Sequence, residues 1–300
     1  MPYFSVILPT YNRAHLLSKA IDSVLTQSFT DWELVIVDDG STDATKELVA
    51  AYSDERIRYI YQENQERSAA RNNGINQARG AYICFLDSDD YFLEKKLENL
   101  HSECCRLNQP NCVIYDGLTF EMGKQRTNSP MPAHTTSQTL FEFLILNPIG
   151  PLQMCIPTHL LVQHSFNPAL RIGEDVELWL RIAKNATFSP LNSFQTIAVE
   201  HEDRSVNLKK YNAAKEQLIQ FEIIAKNYNL SEISPSVRKV VKSGIEFNQA
   251  KHYMFNAKYS KGIISLVKSI VADLGNEQLK HRIYCLKSLL LHKIPLEYSI

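Results

Sequence analysis

Three clusters of polar residues each follow a short, β-rich apolar run: Pro9-Thr10-Tyr11-Asn12-Arg13, Asp38-Asp39-Gly40-Ser41 and Asp87-Ser88-Asp89-Asp90. Carboxylates gathered in one place repel and raise one another's pKa unless a cation or hydrogen-bond donors neutralise them. A divalent metal resolves that conflict. Asp87-x-Asp89 suits Mg²⁺ or Mn²⁺, which take carboxylate oxygen and fill their remaining positions with phosphate. Arg67 and Arg71 lie four apart, so on a helix they share a face and can meet phosphate or the edge of a base. Taken singly, Asp-x-Asp is a common solvated loop, Asp-Asp-Gly-Ser a common turn and an arginine pair a common solvated face. Their joint occurrence points to a nucleoside diphosphate site.

Such clusters work together only if the strands that carry them end on one edge. Phe4 to Leu8, Glu33 to Val37 and Tyr82 to Leu86 read as strands, with a further short strand at Ile57 to Tyr61. Between them, Ala14 to Gln27 sets Leu16, Leu17, Ala20, Ile21, Val24 and Leu25 on one helical stripe, and Ser41-Thr-Asp supplies cap chemistry before a helix at Ala44 to Tyr52. This alternation predicts a parallel sheet, and such sheets bind ligands beyond the carboxyl ends of their strands. Pro110 to Pro168 is mixed and Pro-interrupted, with a polar stretch from Lys124 to Thr139, and predicts a mobile lid or acceptor loop. Beyond Leu208 the pattern is helical: Tyr211 to Tyr228, Ser236 to Phe255, Tyr259 to Leu274 and Glu277 to His292.

At 300 residues, 44% hydrophobic and 22% charged, the composition excludes disordered and fibrous classes and allows a fully buried core. Six cysteines without a Cys-x-x-Cys indicate neither a zinc nor a redox motif, which fits a reduced, cytoplasmic setting. The N-terminus reads as a first strand rather than a signal peptide, and no apolar stretch reaches the roughly 18 residues a membrane span needs. Net charge divides unevenly. Residues 1–207 hold 17 basic and 26 acidic side chains, whereas 208–300 hold 15 and 7. A boundary near 207 follows. The basic and apolar alternation from Lys280 to Lys293 leaves two options open: packing on the acidic domain, or peripheral contact with the inner face of a membrane. A near-zero net charge and the lack of any recognition module exclude nucleic acid.

The motifs, in order, are Ser5-Val-Ile-Leu-Pro-Thr-Tyr-Asn-Arg13, Glu33-Leu-Val-Ile-Val-Asp-Asp-Gly-Ser-Thr-Asp43, Ala69-Ala-Arg-Asn-Asn-Gly74, Phe85-Leu-Asp-Ser-Asp-Asp90 and Gly173-Glu-Asp-Val-Glu-Leu-Trp179. Over residues 1–207 the chain resembles an inverting family 2 glycosyltransferase of the non-processive bacterial type. The resemblance implies a GT-A nucleotide-sugar-binding fold, an α/β architecture with a Rossmann-like, mostly parallel sheet flanked by helices, here with a C-terminal helical appendage. It implies that Thr10 and Asp39 hold base or ribose with Asp38 supporting them, and that Pro9, Tyr11, Arg13, Arg67 and Ser88 line the same donor site. Arg71 would meet base or diphosphate. Asp87 would bind ribose and approach a Mn²⁺ or Mg²⁺ ion, Asp89 would be its main ligand, and His201, after a final strand at Thr196 to Val199, a late one. The Glu174-Asp175 pair would be catalytic, with Asp175 the base.

By the same resemblance, the donor is a nucleotide-diphospho-sugar, by family frequency a UDP-sugar. The acceptor is a glycan or lipid-linked hydroxyl, and the setting surface polysaccharide synthesis such as lipopolysaccharide or capsule. Processive synthases of this family carry Gln-x-x-Arg-Trp and membrane spans; Trp179-Leu-Arg181 is not that motif, so one sugar per encounter is expected. Two other classes stay open at this stage. A sugar nucleotidyltransferase would need a Gly-rich first loop where Pro9 to Arg13 stands. A receiver-like or other non-catalytic nucleotide-binding module accounts for Asp38-Asp39 and Asp87, but not for the strand at Phe4 or the chain length.

Overall fold

The computed structural model describes residues 1–134, 139–171, 173–201, 233–255 and 258–272. The chain divides into two compact units: one comprises Met1–Leu140, Asn147–Ala169 and Glu174–Asn207, the other Phe141–Leu146, Leu170–Gly173 and Leu208–Ile300.

In the first unit, β1 (Phe4–Thr10), β2 (Trp32–Asp38), β3 (Ile57–Tyr61) and β4 (Tyr82–Phe85) form a parallel array in the order β3-β2-β1-β4. Its central strands are buried on both faces, which is why β1 and β2 read as continuous apolar runs. Val6, Leu8, Leu34 and Ile36 pack with Leu17, Ile21 and Val24 of α1 (Ala14–Leu25). On the other face, Val35 and Val37 meet Ala70 of α3 (Glu66–Gln77). There Gly74 lets the helix approach: a Cβ would lie 2.4 Å from the Ile7 Cγ2 methyl. The short α2 (Thr45–Ala50) begins where Asp43 accepts the Thr45 backbone N–H at 3.1 Å. Register pairs Thr10 with Asp38 and Asp38 with Tyr61, so the polar clusters leave the sheet along one edge.

The second half of the sheet departs from expectation. Residues 110–168, expected as a mobile loop, hold β6 (Cys112–Met122), β7 (Gln125–Asn128), α5 (Leu140–Leu146), a short 3₁₀ turn, β8 (Met154–Pro157) and α6 (Thr158–Gln163). β8 joins β4 antiparallel. β6 and then β9 (Thr187–Val199) follow, and β5 (Tyr91–Phe92) closes the edge. The sheet is therefore mixed, not purely parallel. Asp116 in β6 disguised the strand by interrupting its apolar run. Its carboxylate is buried and accepts from Lys96 Nζ of α4 (Lys96–Leu107) at 2.6 Å, and Lys96 also donates to Thr196 Oγ1 at 2.9 Å. The final strand is also longer than the expected Thr196 to Val199, beginning at Thr187. Helix α7 spans Glu174–Ile182.

The described part of the second unit includes helices Pro235–Phe255 and Tyr259–Ala272, whose Ala250, Met254 and Leu266 pack together beneath Gly262. The expected helices at 211–228 and 277–292, and the basic alternation from 280 to 293, lie outside the described residues. Among the described residues no helix is long and apolar enough to cross a membrane.

Candidate active site

Four loops leave the carboxyl edge of the parallel strands. In the first, Pro9 and Thr10 end β1, Tyr11 is 47% exposed, and Arg13 precedes α1, its carbonyl accepting the Leu16 and Leu17 N–H groups. Thr10 is 3% exposed, and among the described residues its hydroxyl has no hydrogen-bond partner. Asn12 adopts a left-handed conformation (φ 51°), which lets its backbone N–H donate to Ser41 Oγ and its side-chain oxygen accept from Thr42 N, tying the first loop to the second.

The two carboxylates of the second loop are held differently. Asp38 accepts from Tyr59 Oη at 2.5 Å and from Ser41 N at 2.8 Å, so both oxygens are engaged. Burial, then the adjacent Asp38, pushes the Tyr59 phenol up, and it stays a donor. Asp39 receives the Gln62 side-chain amide at 2.7 Å and the Gln65 N–H at 2.9 Å on one oxygen. No described hydrogen bond reaches its other oxygen, which suits a ribose or base donor. Gly40, at φ 85°, lies against Asn64, where a Cβ would come within 2.8 Å of the Asn64 nitrogen.

Arg71 is the pivot of the site. It is 3% exposed, and its two terminal nitrogens donate to Asp87 Oδ1 at 3.0 Å and Glu174 Oε1 at 3.1 Å. Burial disfavours its charge, but Asp87, Glu174 and Asp175 more than offset that and raise its pKa. Its Nε is buried and has no partner among the described residues, leaving one donor for a ligand. Arg67 sits one turn earlier on α3, half-buried, and is not drawn into this fork.

Asp89 Oδ2 lies 3.0 Å from His201 Nε2, although the two are 112 residues apart. Ser88, between Asp87 and Asp89 in the turn, is buried. Asp90 is diverted from the site, accepting the Val199 N–H at 2.8 Å and pinning the end of β9. Asp38, Asp39, Asp87, Asp89 and Asp90 thus each have their own hydrogen-bond partner. Among the described residues no group of three or more side chains could hold a metal. Asp89 and His201 are a fitting pair of protein donors for Mn²⁺ or Mg²⁺ only if phosphate or water completes the shell.

Glu174 and Asp175 occupy the first turn of α7. Glu174 is 5% exposed and spoken for by Arg71. Asp175 is half-buried and accepts the Val176 N–H at 2.7 Å. Burial, then the neighbouring Glu174, pushes its carboxyl up to about 6, a value suited to accepting a proton near neutral pH. Residue reading missed Tyr59, Gln62 and Asn73, which donate in sequence toward Asp38 and Asp39; Asn73 Nδ2 reaches Gln62 Oε1 at 2.8 Å. The signal was available for the first two, because a strand at Ile57 to Tyr61 places its carboxyl end beside Asp38.

A mixed sheet with nucleotide-type loops at one edge and a carboxylate helix facing them defines an α/β transferase-like fold. The sequence pattern of "Glycosyl transferase family 2" matches residues 5–164, and the chain belongs to that family. The UDP-Glc:alpha-D-GlcNAc-diphosphoundecaprenol beta-1,3-glucosyltransferase WfgD of Escherichia coli is 33% identical over 220 residues, 71% of this chain and 83% of that protein. An uncharacterized glycosyltransferase of Rickettsia felis is 36% identical over 183 residues, and this chain spans 30% of its length. Among solved structures, Staphylococcus aureus TarS 1-349 in complex with UDP-GlcNAc superposes with a TM-score of 0.62 at 21% identity, covering 98% of this chain and 88% of that one. The mannosyltransferase PcManGT from Pyrobaculum calidifontis, in complex with GDP-Man and Mn2+, gives 0.57 at 18% identity, covering 97% and 81%. The GT-A expectation for the fold holds.

Proposed function

We propose that residues 1–207 form a metal-dependent, inverting glycosyltransferase that moves one sugar from a nucleotide-diphospho-sugar, a UDP-sugar in our reading, to a hydroxyl of a glycan or lipid-linked acceptor. The setting is surface polysaccharide synthesis at the cytoplasmic side of the membrane, with residues 208–300 as an appended helical region. The observation that carries this reading is the Arg71 fork. One buried guanidinium joins Asp87, on the donor turn, to Glu174, beside the candidate base. Donor and acceptor chemistry are thereby held in one site.

In this reading Asp39 and Thr10 take the nucleoside through their available polar atoms, with Asp38 and Tyr59 fixing the loop beneath. Asp89 and His201, with Asp87, would hold the divalent ion. Bound there, the ion supplies positive charge against the departing diphosphate. Arg71 adds its unpartnered Nε to the same end. Asp175 accepts the acceptor hydroxyl's proton as the hydroxyl oxygen attacks the anomeric carbon and the nucleoside diphosphate leaves from the opposite face. Support for the reading comes from the family and from relatives named for nucleotide-sugar chemistry and an undecaprenyl-diphosphate acceptor.

Thermal shift against UDP, GDP, CDP and dTDP, with and without Mn²⁺, tests the donor half. One nucleotide should stabilise the protein only with metal, and Asp89→Ala should abolish the effect. Stabilisation by none of them would remove the reading. Proton NMR of the transfer product tests the rest, since an α-linked donor should give a β-linked product.

A further inference from the structure

The residues that define the donor turn and the base helix belong to different elements, and something must set the gap between them. Phe166 occupies that gap. It is fully buried in the loop after α6, and its ring meets Phe85, at the end of β4 just before Asp87, edge-on at 5.5 Å between centroids. On another side it meets Trp179 of α7, edge-on at 6.1 Å. The Arg71 guanidinium carbon lies 5.5 Å from the same ring. One side chain thus touches the strand that delivers Asp87, the helix that delivers Asp175 and the arginine that links them.

Phe166 is itself clamped by a single residue of α3. Asn72 Nδ2 donates to the Phe166 carbonyl at 2.9 Å, and the Phe166 N–H donates to Asn72 Oδ1 at 2.8 Å. A primary amide paired this way with one residue's N–H and C=O fixes both position and rotation, as a ladder pair does in a sheet. Because Asn72 follows Arg71 directly, the clamp and the ionic fork are set by one turn of one helix. Residue 166 lies just beyond the span of the family match, which ends at 164.

We infer that Asn72 and Phe166 are positioning residues for sugar transfer: the amide clamp holds the Phe166 ring as a spacer that sets the distance between the Asp87 turn and the Asp175 helix. This rests on the transferase reading and deepens it. Neither residue touches the reacting atoms. Their effect passes through Phe85, Trp179 and Arg71.

The test compares wild type with Asn72→Ala, Asn72→Asp and Phe166→Leu, using whichever nucleotide-sugar the wild type turns over. Asn72→Ala should lower kcat on the order of 10²-fold, the cost of a displacement of about 1 Å between reacting groups. The KM for the donor should rise only a few-fold, because the nucleoside contacts at Thr10 and Asp39 are not touched by the clamp and only the Arg71 and Asp87 contacts shift. Asn72→Asp, which keeps the acceptor for the Phe166 N–H, should recover part of the loss, and Phe166→Leu should resemble Asn72→Ala.

A second readout needs no activity. The chain has two tryptophans, and the Trp179 indole donates to the Ile149 carbonyl at 2.8 Å. Its indole ¹H–¹⁵N resonance should move in Asn72→Ala while that of Trp32 stays in place. If kcat and the Trp179 resonance are both unchanged in folded variants, the spacer role is wrong. A parallel fall in donor affinity would overturn it too, marking a general loosening of the site. A wild type that transfers from no donor would instead overturn the transferase reading, whatever the Trp179 resonance does.

Discussion

The Lys96–Asp116 pair and the Arg71 fork, both in the first unit, differ in access. Lys96 and Asp116 have side chains only 1% exposed each, sealed between α4, β6 and β9. Arg71 is nearly as buried at 4%, but its partner Asp87 is 30% exposed. Sealing leaves Lys96 and Asp116 no ligand to meet, so their pairing serves to join the second half of the sheet. Burial even pushes the Asp116 carboxyl up to about 6 in spite of Lys96. The Arg71 fork spends the same physics differently, using a buried cation to join a buried acid, Glu174, to one that a ligand can reach, Asp87. Charge in a core therefore says little about function until its exposure is known.

The sharpest test of that contrast is to remove one charge from each assembly. Asp175→Asn at the open site should cut kcat by about 10²–10⁴-fold, the usual contribution of a positioned base, with little change in melting temperature. In the wild type kcat should rise with pH and level off above about 6, because a base with a raised pKa is protonated and idle below that value. A flat profile would remove Asp175 from the role.

Lys96→Met should do the reverse. It leaves Asp116 buried without its counter-ion and should cost about 3–5 kcal/mol of stability, read by urea denaturation. At a temperature where the variant stays folded, its kcat should match wild type. A smaller effect is expected from Gly74→Ala, whose Cβ must displace the Ile7 methyl: about 1–3 kcal/mol, with some loss of activity because α3 carries Arg71. Least of all, Arg126→Ala should cost under about 1 kcal/mol, since its ion pair with Glu121 is half-exposed. If Arg126→Ala proved as damaging as Lys96→Met, exposure would not be the variable that matters.

The first half of the sheet was legible because each strand is short, apolar and followed by polar residues. Ile57–Tyr61 was located to the residue, and Phe4–Thr10 and Trp32–Asp38 within a few residues. The second half was not. Cys112–Met122 carries a buried Asp116 and a glycine, so it resembles an irregular segment until Lys96 supplies the counter-charge. Gly117 in that strand has its own long-range reason: a Cβ there would sit 2.3 Å from the Phe194 ring. Neither partner is adjacent in sequence, and no local pattern announces either.

The candidate site divides the same way. Residue types and order were enough to bring Asp38, Asp39, Asp87 and Asp89 together, because strand ends in a parallel array must share an edge; Arg71 stood out by its helical spacing from Arg67, and Asp175 only through the family resemblance. Which acid meets which partner came only from the folded chain. Asp90 turning to Val199, Asp89 meeting His201, Glu174 binding Arg71 and Phe166 filling the space between two elements all depend on contacts between residues tens of positions apart. Periodicity reports the environment along one element, whereas the pairing of charges and the spacing of reacting groups are properties of how elements pack.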